Sequence, residues 1–134
     1  EADVVDAVRG AAQSGQKVRV VGAAHSHSPL VPTQGLLIDL AGLRGVVDAD
    51  AGSARVAAGT RIADLGAPLR TRGVALLNQG DIDRQAIAGA IATGTHGTGI
   101  QLRNLSASLL AARIVLADGR VVECREEAIG IVVF

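Results

Sequence analysis

A shortage of large planar side chains constrains what this chain can fold into. Hydrophobic residues make up 49% of its 134 positions, yet aromatic residues make up 1%, and Phe134 is the only one. The 17 glycines stand where larger side chains would otherwise fill space. A core of this kind is built from alanine and branched aliphatic residues. It leaves room for a bulky planar group that comes from outside, such as a cofactor.

Charge and hydropathy exclude several classes of protein. The 13 basic residues balance 13 acidic ones, so no basic surface for duplex nucleic acid is expected. With one aromatic residue, the chain also lacks the stacking platforms that bind single strands. Its aliphatic content is too high for disorder. No apolar run approaches the roughly 18 residues of a membrane span.

The two ends of the chain, and its preference for arginine over lysine, indicate where the protein comes from. The chain begins with Glu1, and Ile131 to Phe134 is an apolar run typical of a buried strand, so we expect a fragment of a longer protein. Residues 1–15 lack the basic and apolar regions of a signal peptide, but the first residue is not Met, so a signal peptide upstream stays open. Our expectation for the location is cytoplasmic. Lys17 is the only lysine among the 13 cations, which fits a bacterial protein encoded by a GC-rich genome.

Hydrophobic periodicity predicts a domain of the α+β class, with β-α-β-like elements first and antiparallel hairpins later. Helices are predicted over residues 2–14, from Thr60 as N-cap to about 72, and over about 84–92. Strands are predicted over 17–22 and 35–40, in two hairpins over 46–50 with 54–58 and 109–116 with 120–124, and over the short segment 74–77.

The first candidate binding segment follows the first predicted strand, over residues 20–29. Small residues there let a ligand approach the backbone, and consecutive free N–H groups bind anions. Ser26 and Ser28 add hydroxyl donors. Taken alone, these residues are more typical of an ordinary turn between a strand and a loop than of a binding site.

The second candidate segment, residues 88–99, begins as a helix and continues into a loop with glycine at 94, 97 and 99. No large side chain obstructs a planar or phosphorylated ligand, and three threonines can donate hydrogen bonds. The alternative is a flexible glycine loop. Such loops are usually polar, whereas this one follows an apolar helix.

Three familiar nucleotide-binding patterns do not match. Neither segment is a Walker loop or a G-x-G-x-x-G turn. Asp39 occupies the place of the ribose-binding acid of a Rossmann unit. The interval from Gly22 to Asp39, interrupted by Pro29 and Pro32, leaves no room for a crossover helix.

Five stretches, in register, resemble the flavin domain of vanillyl-alcohol-oxidase type flavoproteins: Val21–Ser26, Gly35–Leu40, Asn78–Asp83, Gln85–Gly99 and Ala117–Gly119. The most specific is the Thr-Gly-Thr-His-Gly-Thr-Gly run that begins at Thr93. Within that family the chain is most similar to the sugar-1,4-lactone oxidases and alditol oxidases. The resemblance implies an FAD-binding domain of two α+β subdomains, about 1–59 and 60–134, in a larger two-domain enzyme.

The implied activity is oxidation of a sugar-lactone or alditol hydroxyl by hydride transfer to flavin N5, with reoxidation by O₂ or another acceptor. The catalytic residues of such enzymes lie in a substrate domain, so we assign no catalytic residue to this chain, and no metal ligand. FAD contacts are implied at Val20, Val21, Gly22, Ala23, Ala24, His25, Ser26, Asp81, Ala86, Gly89, Thr93, Gly94, Thr95, His96 and Ile131.

Individual positions within that set differ in what the resemblance implies. His25 matches the histidine that bonds covalently to the 8α carbon of the flavin. Ala24 stands where glycine is common, and Asp81 and Ala86 stand where serine is common. His96 either forms a hydrogen bond near the flavin or stabilises the conformation of its own loop. His27 is not in this set and is expected to be a loop side chain without a role in binding.

The segment Ala128–Val132 resembles a strand that in relatives lies well beyond the last hairpin, which predicts missing residues near Glu127–Ala128. Two other hypotheses stay open from the sequence. One is a different flavoprotein of the same fold, such as a hydroxyacid or cytokinin dehydrogenase. The other is a non-catalytic domain that binds a nucleotide.

Overall fold

Three α-helices and three two-stranded sheets form the part of the chain that the computed structural model describes, residues 1–125. The predicted missing residues near Glu127–Ala128 and the predicted contact at Ile131 lie outside this range. The α+β class is confirmed. Among residues 1–125, no helix combines the length and the apolar character needed to cross a membrane.

The N-terminal part consists of helix α1 (Ala2–Gln13) and a parallel pair of strands, β1 (Val18–Val21) and β2 (Leu36–Asp39). α1 buries Val8 and Ala11 on one face. The connection between the strands contains no helix, as expected from its prolines. The Asp39 carboxylate accepts from the Ala41 N–H at 2.8 Å, so it caps a short 3₁₀ helix.

The helix predicted from Thr60 to about 72 is wrong in its start and in its continuity. A 3₁₀ turn (Ile62–Asp64) comes first, followed by α2 (Gly66–Arg70). Thr60 is not a helix cap, because its hydroxyl donates to the Ala57 carbonyl at 2.6 Å and accepts from the Gly45 N–H at 2.9 Å. Its buried side chain therefore joins two backbone segments instead of starting a helix.

The third helix also begins later than predicted, since α3 spans Ile87–Ala92 rather than 84–92. The Ile62 N–H donates to the Gln85 carbonyl at 3.0 Å, and the Ile87 N–H donates to the Thr60 carbonyl at 2.8 Å. This short bridge between Arg61 and Ala86 keeps Ala86 extended, so the helix begins at Ile87. Residues 74–77, predicted to be extended, belong to no ladder among the described residues.

Both predicted hairpins are present. β3 (Val46–Ala49) pairs with β4 (Ala54–Val56), and β5 (Ala111–Val115) pairs with β6 (Val121–Arg125), each antiparallel. A 3₁₀ turn (Leu105–Ser108) that was not predicted comes before β5.

One aliphatic cluster forms the main core beneath α2 and α3: Ile62, Leu65, Leu69, Ile87, Ala90, Ile91 and Leu105. Val46 and Val56 of the first hairpin pack against it. The subdomain boundary near residue 59 stays a prediction.

Candidate functional site

The first candidate segment is an exposed loop at the end of β1. Val20 and Val21 are the last residues of that strand, and Ala24, His25 and Ser26 are exposed in the loop. None of the backbone N–H groups of residues 23–28 donates a hydrogen bond to any residue in 1–125. Residues 20–43 contain no Lys or Arg, so N–H groups and hydroxyls are the donors that this loop offers to an anion.

Ala24 has an unusual backbone conformation. Its φ of +55° makes it the single non-glycine residue with positive φ among the described residues. An L-residue in the left-handed region costs roughly 1–2 kcal/mol. The loop therefore holds an unfavourable conformation at the residue before His25.

Helix α3 separates a core face from a face of small residues. Ile87 and Ile91 are buried in the main core. At 3.6 residues per turn, Gly89 lies about 200° around the helix from Ile87. It is exposed, and a Cβ added to it would meet nothing within 4 Å. Ala86, Gly89 and Thr93 follow one another at helical spacing, so the predicted contacts on α3 share one stripe.

The two candidate segments meet at Gly22 and Ala86. A Cβ added to Gly22 would lie 2.9 Å from the Cβ of Ala86, which is closer than real carbon atoms approach. Glycine is therefore required at this contact, and buried Ala86 supplies a side chain small enough for it. The loop after β1 is placed at the start of α3.

The glycine loop begins with a regular helix ending. Gly94 has φ +65°, its N–H donates to Ile91, and the Thr95 N–H donates to Ala90 at 2.9 Å. This is the Schellman arrangement, in which glycine takes the left-handed position after the C-cap. The loop geometry at Thr93–Thr95 thus follows from local sequence.

Several polar side chains of this loop already form hydrogen bonds within the protein. The Thr93 hydroxyl donates to the Gly89 carbonyl at 2.9 Å. The Thr95 oxygen accepts from Gln85 Nε2 at 3.0 Å, and its own proton can go to Thr93 Oγ1, 3.5 Å away, or to a ligand. His96 Nδ1 lies 2.9 Å from the Gly97 carbonyl oxygen, so Nδ1 carries the proton and Nε2 is free to accept.

Two amide side chains and one backbone carbonyl near this loop, from Gln85, Asn78 and Gln79, were not among the predicted site residues. Gln85 bonds Thr95, and Asn78 Nδ2 donates to the Arg103 carbonyl at 3.1 Å. A Cβ on Gly97 would overlap the Gln79 carbonyl oxygen and the Asn78 side chain. These residues come shortly before the small-residue helix in the sequence, and that position could have indicated them. Asp81 is exposed in the same connection.

A cavity of about 650 Å³ lies on the other side of α3 and contains none of the predicted site residues. Its walls include Ile87, Ile91 and Leu105 of the core, with residues of both hairpins at its rim. The anion-binding donors and the open helix stripe lie elsewhere, so we place the candidate site at the Gly22–Ala86 contact rather than in this cavity.

The family model for the FAD binding domain matches residues 1–125. The chain belongs to the FAD binding domain family. This confirms the resemblance seen in the sequence. The domain's free loop N–H groups suit a pyrophosphate, and the open stripe at Gly89 suits a flat ring system. The residues of the candidate site therefore fit FAD.

Curated relatives of this FAD binding domain are sugar-lactone enzymes. L-gulono-1,4-lactone dehydrogenase from Mycobacterium tuberculosis is 43% identical over 128 residues, which cover 94% of this chain and 30% of that protein. L-gulonolactone oxidase from Mus musculus is 37% identical over 120 residues, covering 88% of this chain and 27% of that protein. The chain thus spans about 30% of the length of the curated relatives it matches.

Solved structures show the same fold. A carbohydrate oxidase from Microdochium nivale in complex with a substrate analogue superposes with a TM-score of 0.83 at 25% identity, over 92% of this chain and 27% of that one. 6-hydroxy-D-nicotine oxidase from Arthrobacter nicotinovorans superposes with a TM-score of 0.81 at 25% identity, over 96% of this chain and 29% of that one.

Proposed function

We propose that this FAD binding domain serves an oxidoreductase that oxidises a hydroxyl-bearing carbon of a sugar-1,4-lactone or an alditol. Bound FAD supplies the redox chemistry, accepting a hydride at N5 and passing the electron pair to O₂ or another acceptor. The 43% identity to a lactone dehydrogenase supports the substrate class.

One observation carries the assignment of the site. The loop with free N–H groups and the small-residue stripe of α3 were predicted separately, and they meet at the Gly22–Ala86 contact. A ligand spanning both must have an anionic part for the loop and a flat apolar part for the stripe. FAD combines these two chemistries in one molecule.

The residues divide into three roles in this proposal. The loop from Val20 to Ser26 binds the pyrophosphate through its backbone, because it has donors but no cationic side chain. Gly89 leaves open space for the ring system on α3. Thr95 and His96 offer a hydroxyl proton and a free imidazole nitrogen beside it. We further propose that His25 bonds covalently to the flavin 8α carbon.

The test uses the full-length protein that contains this chain. Acid denaturation should leave the yellow flavin in the protein pellet, and His25→Ala should release it into the supernatant. A panel of sugar lactones, alditols, hydroxyacids and amines is then assayed with hydrogen peroxide detection and, separately, with a dye as acceptor. We expect turnover of lactones or alditols with at least one acceptor.

Two outcomes contradict parts of this proposal. Turnover of hydroxyacids alone would assign the protein to another branch of the fold. Flavin that remains covalent in His25→Ala would place the attachment at another residue. A bacterial origin and a cytoplasmic location stay predictions. The electron acceptor and the oligomeric state can be measured on the same preparation.

A further inference from the structure

We infer that Ala24 is a positioning residue, whose left-handed backbone aims the His25 imidazole at the flavin for covalent attachment. The inference rests on the proposed function, because it concerns the bond proposed between His25 and FAD. It adds a role for a residue that contributes only a methyl group.

The loop gives His25 little other support. Its side chain is exposed, and it makes no hydrogen bond within residues 1–125. A ring without such contacts takes its direction from the backbone that carries it. The nearest unusual backbone angle is that of Ala24, one residue earlier, with a φ of +55°.

The start of the loop segment is held in place, because Gly22 lies against Ala86 at the start of α3. Further along, the Leu30 N–H donates to the Ser28 carbonyl at 2.8 Å, which forms a turn within the loop itself. No backbone N–H of residues 23–28 donates within residues 1–125, so the side chain at position 24 decides how readily the loop adopts positive φ. A change of φ there moves His25 without disturbing β1 or α3.

Covalent attachment forms one bond and breaks two. An imidazole nitrogen of His25 would bond to the 8α carbon, while the imidazole N–H bond and one C–H bond of the 8α methyl group break. The two protons and the electron pair of the C–H bond would reduce the flavin ring. O₂ takes both as hydrogen peroxide, which leaves the oxidised flavin bound to His25.

Asparagine and valine have side chains of similar size but different backbone preferences. The two variants Ala24→Asn and Ala24→Val therefore separate the effect of backbone conformation from the effect of side-chain size. Asparagine adopts positive φ far more readily than other L-residues, and β-branched valine avoids it. The experiment expresses the full-length protein under riboflavin limitation, adds FAD, and follows flavin fluorescence in the denatured protein band. We expect Ala24→Val to slow covalent incorporation by roughly tenfold or more. Ala24→Asn and Ala24→Gly should stay within about threefold of the parent protein.

A second readout distinguishes positioning from simple loss of binding. Incorporation rates are therefore compared at saturating FAD, and the FAD affinity of each variant is measured in the His25→Ala background, so that weaker binding is not mistaken for slower bond formation. Incorporation by Ala24→Val at the parent rate would overturn the inference, as would equal slowing by Asn and Val. If the parent protein binds FAD but never bonds it, the proposed attachment fails, and this inference fails with it.

Discussion

At the scale of single residues, absent side chains determine this site more than present ones. Gly22 must lack a Cβ because Ala86 lies 2.9 Å from where it would be. Gly97 must lack one because the Gln79 carbonyl oxygen occupies that place. Gly89 is different, since nothing within 4 Å in the described structure would meet its Cβ. Packing among the described residues therefore does not require glycine here, and under the proposed function the open space is for FAD.

Gly89→Ala should change stability and cofactor binding in opposite directions. Alanine in an exposed helix interior stabilises by about 0.5–1 kcal/mol relative to glycine, so the FAD-free protein should unfold at a higher temperature. The new methyl group should weaken FAD binding by about tenfold, because it intrudes on the ring system. Melting curves of FAD-free protein and FAD titration in the His25→Ala background measure the two effects.

A matched control lies in α1. Gly10 is also helical, and its added Cβ would meet nothing within 4 Å. Gly10→Ala should give a similar gain in stability and leave FAD affinity unchanged. Unchanged FAD affinity in Gly89→Ala would remove Gly89 from the site.

At the scale of elements, the two hairpins are organised by aspartates in their turns. Asp50 accepts from the backbone N–H groups of Gly52 and Ser53, and these bonds hold the pKa of its carboxyl below the ordinary 3.8. Asp118 accepts from the backbone N–H and the side chain of Arg120, with the same direction of pKa shift. Both are Asx-type turns that the sequence indicates locally.

These shifts predict an acid-sensitive contribution to stability. Because the folded pKa values lie below 3.8, the contribution is complete well above that pH and is lost as the pH falls through the folded values. In urea unfolding followed from pH 7 to pH 2, the double variant Asp50→Asn with Asp118→Asn should lose less stability below about pH 4 than the parent protein.

The control is Asp6→Asn, which changes an exposed carboxylate of α1 that accepts no hydrogen bond within residues 1–125. It should leave the acid limb of the curve close to that of the parent. Equal curves for the control and the double variant would mean that the turn aspartates contribute nothing to the acid response.

At the scale of the whole molecule, one aliphatic cluster holds the α2, α3 and first-hairpin regions together. Leu65 is 1% exposed, and Val46 and Val56 pack against the cluster from the neighbouring hairpin. The members of this cluster within residues 1–125 are all aliphatic. The core face of α3 thereby fixes where its opposite stripe, with Gly89, is presented.

Leu65→Ala should destabilise the fold by about 2–4 kcal/mol, because it removes buried methyl groups and leaves a void that aliphatic neighbours fill poorly. Leu37→Ala, at a position 49% exposed, should cost less than about 1 kcal/mol. Urea denaturation followed by circular dichroism gives both values. Losses of the same size at the two positions would contradict a single dominant core.

The sequence by itself determined the features whose physics is local. The periodicity of α1, the Asp-Gly turns, the Gly94 helix ending and the small-residue segments all act over a few residues, and each was predictable. Recognition of the FAD binding domain rested on the same short motifs in register.

The tertiary structure alone decided where α3 starts, because that start depends on bonds from Thr60 and Ile62, distant along the chain. It alone placed Gly22 against Ala86 and Gln85 against Thr95, contacts that no periodicity encodes. It also placed Ala24 in the left-handed region, a conformation that alanine's own preference opposes and that its sequence neighbours do not predict.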